Sequence, residues 1–117
     1  MKTVLIIEDD RSYSRVLTTS LAKDGYRIIV QNSANRALEF IRLGNSVDLI
    51  ILDLKLPDAE GFSLMDQIKK LLDVPIVINS GYSYFKRDFS SWLADAYVDK
   101  SADLNELKQV IHEVLQN

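Results

Sequence analysis

Asp48-Leu49-Ile50-Ile51-Leu52-Asp53 decides the fold: four consecutive aliphatic residues with no polar alternation, closed by a carboxylate. A half-solvated strand alternates in polarity, whereas an unbroken aliphatic run of this length marks a strand covered on both faces, as in parallel sheets. The same pattern recurs on either side. Val4-Leu5-Ile6-Ile7 stops at Glu8-Asp9, Ile76-Val77-Ile78 stops at Asn79-Ser80, and Tyr97-Val98 stops at Asp99-Lys100. In an open parallel sheet the ligand crevice lies beyond the carboxyl ends of the strands. These polar ends are therefore expected to converge on one edge, bringing carboxylates, a hydroxyl and an ammonium together.

Helical spacing fills the intervals. Tyr13, Val16, Leu17 and Leu21 form one face, ended by Gly25 ahead of a strand from Tyr26 to Val30. Ser33 is placed to cap a second helix bearing Ala34, Ala37, Leu38 and Ile41, with Gly44 to end it before Val47 opens the next strand. Phe62, Met65, Ile68, Leu71 and Leu72 give a third stripe, stopped by Pro75. Asp103 and Glu106 form a capping-box pattern before Leu107, Val110, Ile111, Val114 and Leu115. The stretch from Gly81 to Ala94, with Tyr82, Tyr84, Phe85, Phe89 and Trp92, has no clean period and predicts a short or irregular fourth helix, its aromatics packed on the sheet. Five strand-helix units with short right-handed crossovers predict an α/β fold. It is a doubly wound five-stranded parallel sheet with helices on both faces, residues 1–117 forming one domain.

Composition narrows the function. The chain has no Cys, which removes disulfides, thiolate metal sites and cysteine catalysis. No apolar stretch approaches the roughly 20 residues of a membrane span, and Met1-Lys2-Thr3 leads straight into a strand, so a soluble, cytoplasmic protein without a membrane partner is expected. A net charge of -3 argues against a nucleic-acid partner.

Glu8, Asp9 and Asp53 would bring three carboxylates close together, and two like charges about 4 Å apart repel by roughly 4 kcal/mol at an effective dielectric near 20. Such a cluster calls for a cation or a proton. All-oxygen ligands and a strand-end carbonyl suit Mg²⁺, which keeps several waters and awaits a phosphate oxygen; Ca²⁺ would need more oxygens than these loops offer. Lys100 supplies a point charge for a phosphoryl group and Ser80 a hydroxyl. Asp53, alone at its strand end, is the nucleophile candidate for phosphoryl transfer to a carboxylate. His112, on the last helix beside Ile111, reads as a solvent-facing residue.

Over essentially its whole length the chain resembles the receiver domain of bacterial two-component response regulators. The resemblance rests on Val4-Leu5-Ile6-Ile7-Glu8-Asp9-Asp10, on Asp48 to Pro57 with Gly61, on Pro75 five residues before Ser80, and on Tyr97-Val98-Asp99-Lys100. It implies a flavodoxin-like (CheY-like) strand order 2-1-3-4-5. It also implies that Asp53 accepts phosphate from a sensor histidine kinase or phosphotransfer protein, and that Glu8, Asp9, Asp53 and the Lys55 carbonyl bind Mg²⁺. Ser80 and Lys100 would contact the phosphoryl group, and Ser80 and Tyr97 would act as the switch. The face of the fourth helix, fifth strand and fifth helix would then meet a downstream protein target or a second copy of the chain. Such a domain is no enzyme beyond catalysing its own phosphorylation and dephosphorylation.

Three positions depart from the family pattern. Ser101 replaces a proline whose cis bond shapes the loop; a cis bond to serine would cost roughly 3 kcal/mol, so a trans bond or another loop is expected. The Ser80–Tyr97 interval is about two residues short, and Lys55 and Tyr82 are bulky where water reaches the phosphate, implying a long-lived phosphoryl group. Two readings compete: a phosphate-independent docking module, and a small hydrolase of the haloacid dehalogenase type, which would need an acid where Lys55 stands.

Overall fold

The computed structural model describes residues 1–81, 94–101 and 103–116, so the segment expected to form the fourth helix, with its aromatic residues, lies outside the described residues. The strands are β1 (Thr3–Ile7), β2 (Arg27–Gln31), β3 (Leu49–Leu52), β4 (Ile76–Ser80) and β5 (Ala96–Asp99). The described helices are α1 (Arg11–Lys23), α2 (Ala34–Arg42), α3 (Gly61–Leu71) and α4 (Asn105–Gln116). All strand pairs are parallel, and the sheet order is β2-β1-β3-β4-β5, as the resemblance implies.

Strand alternation divides the aliphatic side chains between two layers. Leu5, Ile7, Ile50, Leu52, Ile76, Ile78 and Tyr97 pack with Ala37, Leu38 and Ile41 of α2 and Leu64, Met65 and Ile68 of α3. Val4, Ile6, Leu49, Ile51, Val77 and Val98 pack with Leu17 and Leu21 of α1 and Leu107 and Ile111 of α4. Both faces of β3 are covered, which is why its sequence shows no alternation. Each fully buried Leu or Ile contributes about 1.5–3 kcal/mol, so together these layers outweigh a few charges buried at the sheet edge.

Local chemistry sets the helix ends. The Asp10 carboxylate accepts the Tyr13 N–H (3.1 Å) and caps α1. Ser33 accepts the Arg36 N–H (3.2 Å) at α2, and Asp58, from the loop after β3, accepts the N–H groups of Ala34 (2.8 Å) and Asn35 (2.9 Å). Gly25 and Gly44 follow α1 and α2 with φ of 93° and 92°, a left-handed geometry that ends a helix with little strain only at glycine.

Three local expectations are corrected. Val16 is 53% exposed and Leu71 44%, because α1 meets the sheet through Ser14, Leu17 and Leu21, and α3 through Leu64, Met65 and Ile68. The apolar stripes are narrower than the count of apolar residues suggests. At α4 the Asp103 carboxylate accepts the Asn105 N–H (2.9 Å), two residues on, so it acts as a tight polar turn just ahead of the helix.

Register then sets the site. Ile7 pairs with Leu52, so Glu8 and Asp53 each stand one residue past a matched pair, and the Asp53 N–H donates to the Ile7 carbonyl (3.1 Å). Ser80 pairs with Asp99, which puts Lys100 one residue beyond on β5. Gly61 closes the arrangement from α3. Its N–H donates to the Leu54 carbonyl (2.8 Å), and a Cβ there would lie 2.6 Å from Leu54 Cα and 3.0 Å from the Asp53 carbonyl oxygen. Only glycine lets the helix start against the backbone that carries Asp53.

Candidate functional site

Glu8 and Asp53 are buried, at 3% and 5% exposure, while Asp9 beside them is exposed. One carboxylate oxygen from each of the three lies within 4.8 Å of the others. Lys100 reaches into this cluster: its Nζ lies 2.7 Å from Glu8 Oε1 and 3.1 Å from Asp53 Oδ2. Backbone donors complete it, Asp10 N–H to Glu8 Oε2 (3.0 Å) and, at longer range, Lys55 N–H to Asp53 Oδ1 (3.4 Å).

One ammonium is shared between two buried carboxylates, and the titration behaviour reflects it. Burial pushes the Glu8 carboxyl up to about 7, against the Lys100 and Asp10 hydrogen bonds that pull it down, with the Asp53 charge adding to the rise. Burial alone would lower Lys100, but its bond to Glu8 and the charges of Asp53 and Glu8 outweigh that, so the ammonium is held more firmly than in water. The cluster therefore retains negative charge that a second cation would neutralise. Its three oxygen donors, with no sulfur or imidazole among them, match the chemistry of a hard divalent ion.

Ser80 is fully buried at the end of β4, and its carbonyl accepts the Lys100 N–H (3.0 Å). Tyr97 points into the α2–α3 layer at 7% exposure; burial, followed by the Asp99 charge, pushes its phenol up to about 12. Lys55 has an exposed side chain and makes an isolated antiparallel bridge to Glu60. The Lys100–Ser101 peptide is trans. Tyr82 lies outside the described residues, and His112 is exposed on α4. Glu8, Asp9, Asp53 and Lys100 are thus brought together, while Ser80 borders them through the strand pairing of β4 and β5.

Sequence reasoning gives no specific role to two members of this neighbourhood. The Tyr13 ring lies beneath Lys100, Nζ to ring centre 4.8 Å, and its hydroxyl donates to Asn79 Oδ1. Asn79 is 2% exposed, and its Nδ2 donates to the Val98 carbonyl (3.0 Å). In the sequence Tyr13 reads only as part of an apolar helix face. The available signal was its place one helical turn after Asp9, where an aromatic side chain with a polar tip overhangs the strand ends.

Known proteins share the sequence and the fold of this chain. ArlR, a response regulator of Staphylococcus haemolyticus, is 32% identical over 118 residues, which cover 99% of this chain and 53% of ArlR. This chain spans about a fifth to a half of the length of the curated relatives it matches. The crystal structure of the Thermotoga maritima response regulator TrrA in complex with Mg²⁺ and BeF is 35% identical, with 97% of this chain and 99% of that one covered and a TM-score of 0.89. TrrA in complex with the histidine kinase ThkA gives 33% identity, coverage of 98% and 99%, and a TM-score of 0.88. The family model of the response regulator receiver domain matches residues 4–112, and the chain belongs to that family.

Proposed function

We propose that the chain, folded as one domain over residues 1–117, is a cytoplasmic phosphoacceptor that takes a phosphoryl group from a histidine kinase or phosphotransfer protein onto Asp53. The observation that carries this is the buried Asp53 carboxylate, one oxygen on the Lys100 ammonium and the whole group within reach of Glu8 and Asp9. An Asp53 oxygen attacks the phosphorus of a phosphohistidine, a P–O bond forms as the P–N bond breaks, and the electron pair of that bond leaves on the imidazole, which departs neutral because its other ring nitrogen already carries a proton. Positioning and charge neutralisation supply most of the catalysis in such a transfer.

Glu8, Asp9, Asp53 and the Lys55 carbonyl would hold Mg²⁺. When bound, the ion would offset the charge gathering on the transferred group. The chain's own residues do the rest. Lys100 keeps a positive charge beside Asp53, Gly61 fixes the backbone of that strand end, and Ser80 and Lys100 receive the phosphoryl oxygens. Support for the metal comes from the all-oxygen donor set here and from the Mg²⁺ and BeF bound to the relative TrrA; support for the kinase comes from the TrrA–ThkA complex.

Tyr97, buried inward from β5, is the switch partner of Ser80: a hydroxyl drawn toward phosphate vacates space, and an aromatic ring responds. The face bearing β5 and α4 then meets a downstream protein or a second copy of the chain. Among the described residues no helix is long and apolar enough to cross a membrane.

Intact-mass analysis after incubation with acetyl phosphate and Mg²⁺ tests the reading. One phosphoryl group is expected on the wild type and none on Asp53→Ala. A wild type left unmodified would favour a phosphate-independent docking module instead.

A further inference from the structure

Lys100 has two kinds of partner. The carboxylates of Glu8 and Asp53 hold its charge, but a divalent ion entering the cluster competes for those same oxygens. The Tyr13 ring, 4.8 Å from Nζ to its centre, is a partner that a metal ion does not compete for. A lysine that loses its hold on Glu8 has a flexible four-carbon stem and many rotamers to explore. An ammonium seated on an aromatic face stays within reach of Asp53 and keeps its charge.

Tyr13 is itself held at two points. Its backbone N–H is held by the Asp10 carboxylate at the start of α1, one residue from Asp9. Its hydroxyl donates to Asn79, and Asn79 is oriented because its Nδ2 donates to the Val98 carbonyl (3.0 Å), two residues before Lys100. Asn79 also directly precedes Ser80 on β4. The amide thus links α1, β4 and β5 at the level of the site, and it can accept from the phenol only through its oxygen. A tyrosine that merely packed the helix against the sheet would need neither the buried amide nor a place under the ammonium.

Resting on the phosphoacceptor reading above, we propose that Tyr13 is a positioning residue for phosphoryl transfer: its ring, locked by Asn79, seats the Lys100 ammonium beside Asp53 as a metal ion takes up the carboxylates. Tyr13 does not touch the phosphoryl group. It acts through Lys100.

A double-mutant cycle tests this, with the rate of phosphorylation by acetyl phosphate and Mg²⁺ and the dissociation constant of beryllofluoride as readouts. Tyr13→Met, which keeps an apolar helix-forming side chain, is expected to lower the rate and weaken beryllofluoride about tenfold, while the Mg²⁺ affinity measured alone stays within about twofold. Tyr13→Phe keeps the ring but loses the bond to Asn79, so it restores only part of the loss. In a Lys100→Met background, Tyr13→Met has no further effect, since nothing is left to seat.

Tyr13→Met behaving as wild type would overturn the proposal. So would an equal loss in both backgrounds, which would mark the ring as packing only. Should Tyr13→Met fail to fold, a trifluorinated phenylalanine at position 13 keeps the ring's shape and weakens its negative face: slower phosphorylation than Tyr13→Phe supports the seat, and equal rates refute it. A wild-type chain that takes no phosphate would refute the phosphoacceptor reading itself, whereas a phosphorylated wild type with a silent cycle refutes the role of Tyr13 alone.

Discussion

The carboxylates at the ends of β1 and β3 and the carboxylate of Asp58, five residues beyond Asp53 on the same loop, are held in opposite ways. Glu8 and Asp53 are buried and share one ammonium, and burial drives the Glu8 carboxyl up to about 7. Asp58 is exposed, accepts the N–H groups of Asn35 and Ala34, and is held below the usual carboxylate range by those two bonds. The first region carries charge it cannot fully neutralise, which suits it to capturing cations and phosphoryl groups. The second is satisfied, and its work is to tie the loop that carries the site to the start of α2. One short segment therefore combines a reactive end and an anchored end.

The sharpest way to break the contrast is to remove the cation from the reactive end. Lys100→Met leaves Glu8 and Asp53 buried without their ammonium and removes a donor aimed at the incoming phosphoryl group. The rate of phosphorylation by acetyl phosphate should fall about 10²–10³-fold, the scale seen when one preorganised transition-state donor is lost. Asp58→Ala, measured alongside, should leave that rate within a few-fold of wild type. Similar losses in both would mean that the two ends are not distinct.

Titration separates the ends by sign. Between about pH 4.5 and 7 the unfolded chain has released the Glu8 proton while the folded chain retains it, so in the absence of metal, stability falls as pH rises through this window and levels off above it. The span corresponds to on the order of 3 kcal/mol. Asp58 acts in the other direction, because its folded value is depressed: its contribution is present above the ordinary carboxylate range and is lost as pH falls through the lowered value. Urea unfolding across pH 4.5–8 should show the falling limb in wild type and a flatter one in Glu8→Gln. A wild-type curve that rises over the same interval would contradict the burial of Glu8.

The buried end was the more legible of the two from sequence. Leu49-Ile50-Ile51-Leu52 and Val4-Leu5-Ile6-Ile7 announce strands covered on both faces, and matched strand lengths then bring Glu8, Asp53 and Lys100 to one edge. The sheet order needed the family resemblance, because aliphatic runs do not encode which strand lies beside which. The contacts that orient the site were least visible. Asp58 meets α2 across 24 residues of chain and Tyr13 meets Asn79 across 66, and no local period reports such pairs. Val16 shows the converse error: an apolar residue within a helical pattern counts toward a face only when the neighbouring layer reaches it.

The smallest effect tests the anchored end by itself. Three successive N–H groups at the start of α2 are taken by side chains, Ala34 and Asn35 by Asp58 and Arg36 by Ser33, so that removing one cap leaves the other in place. Asp58→Ala should cost about 1 kcal/mol at neutral pH, within the range for loss of a helix cap, and water can reach the freed N–H of exposed Asn35. Asp58→Asn keeps an acceptor but loses the charge at the helix N-terminus, so it should fall between Asp58→Ala and wild type. At low pH wild type should converge on Asp58→Asn and its gap to Asp58→Ala should narrow, since protonated Asp58 is itself a neutral cap with one oxygen no longer a full acceptor. Denaturant midpoints measured at neutral and acid pH check the ordering. If the stability gap between wild type and Asp58→Ala persisted unchanged into acid, the Asp58 charge would have no part in holding α2, and the anchoring would rest on the side chain's hydrogen bonds without it.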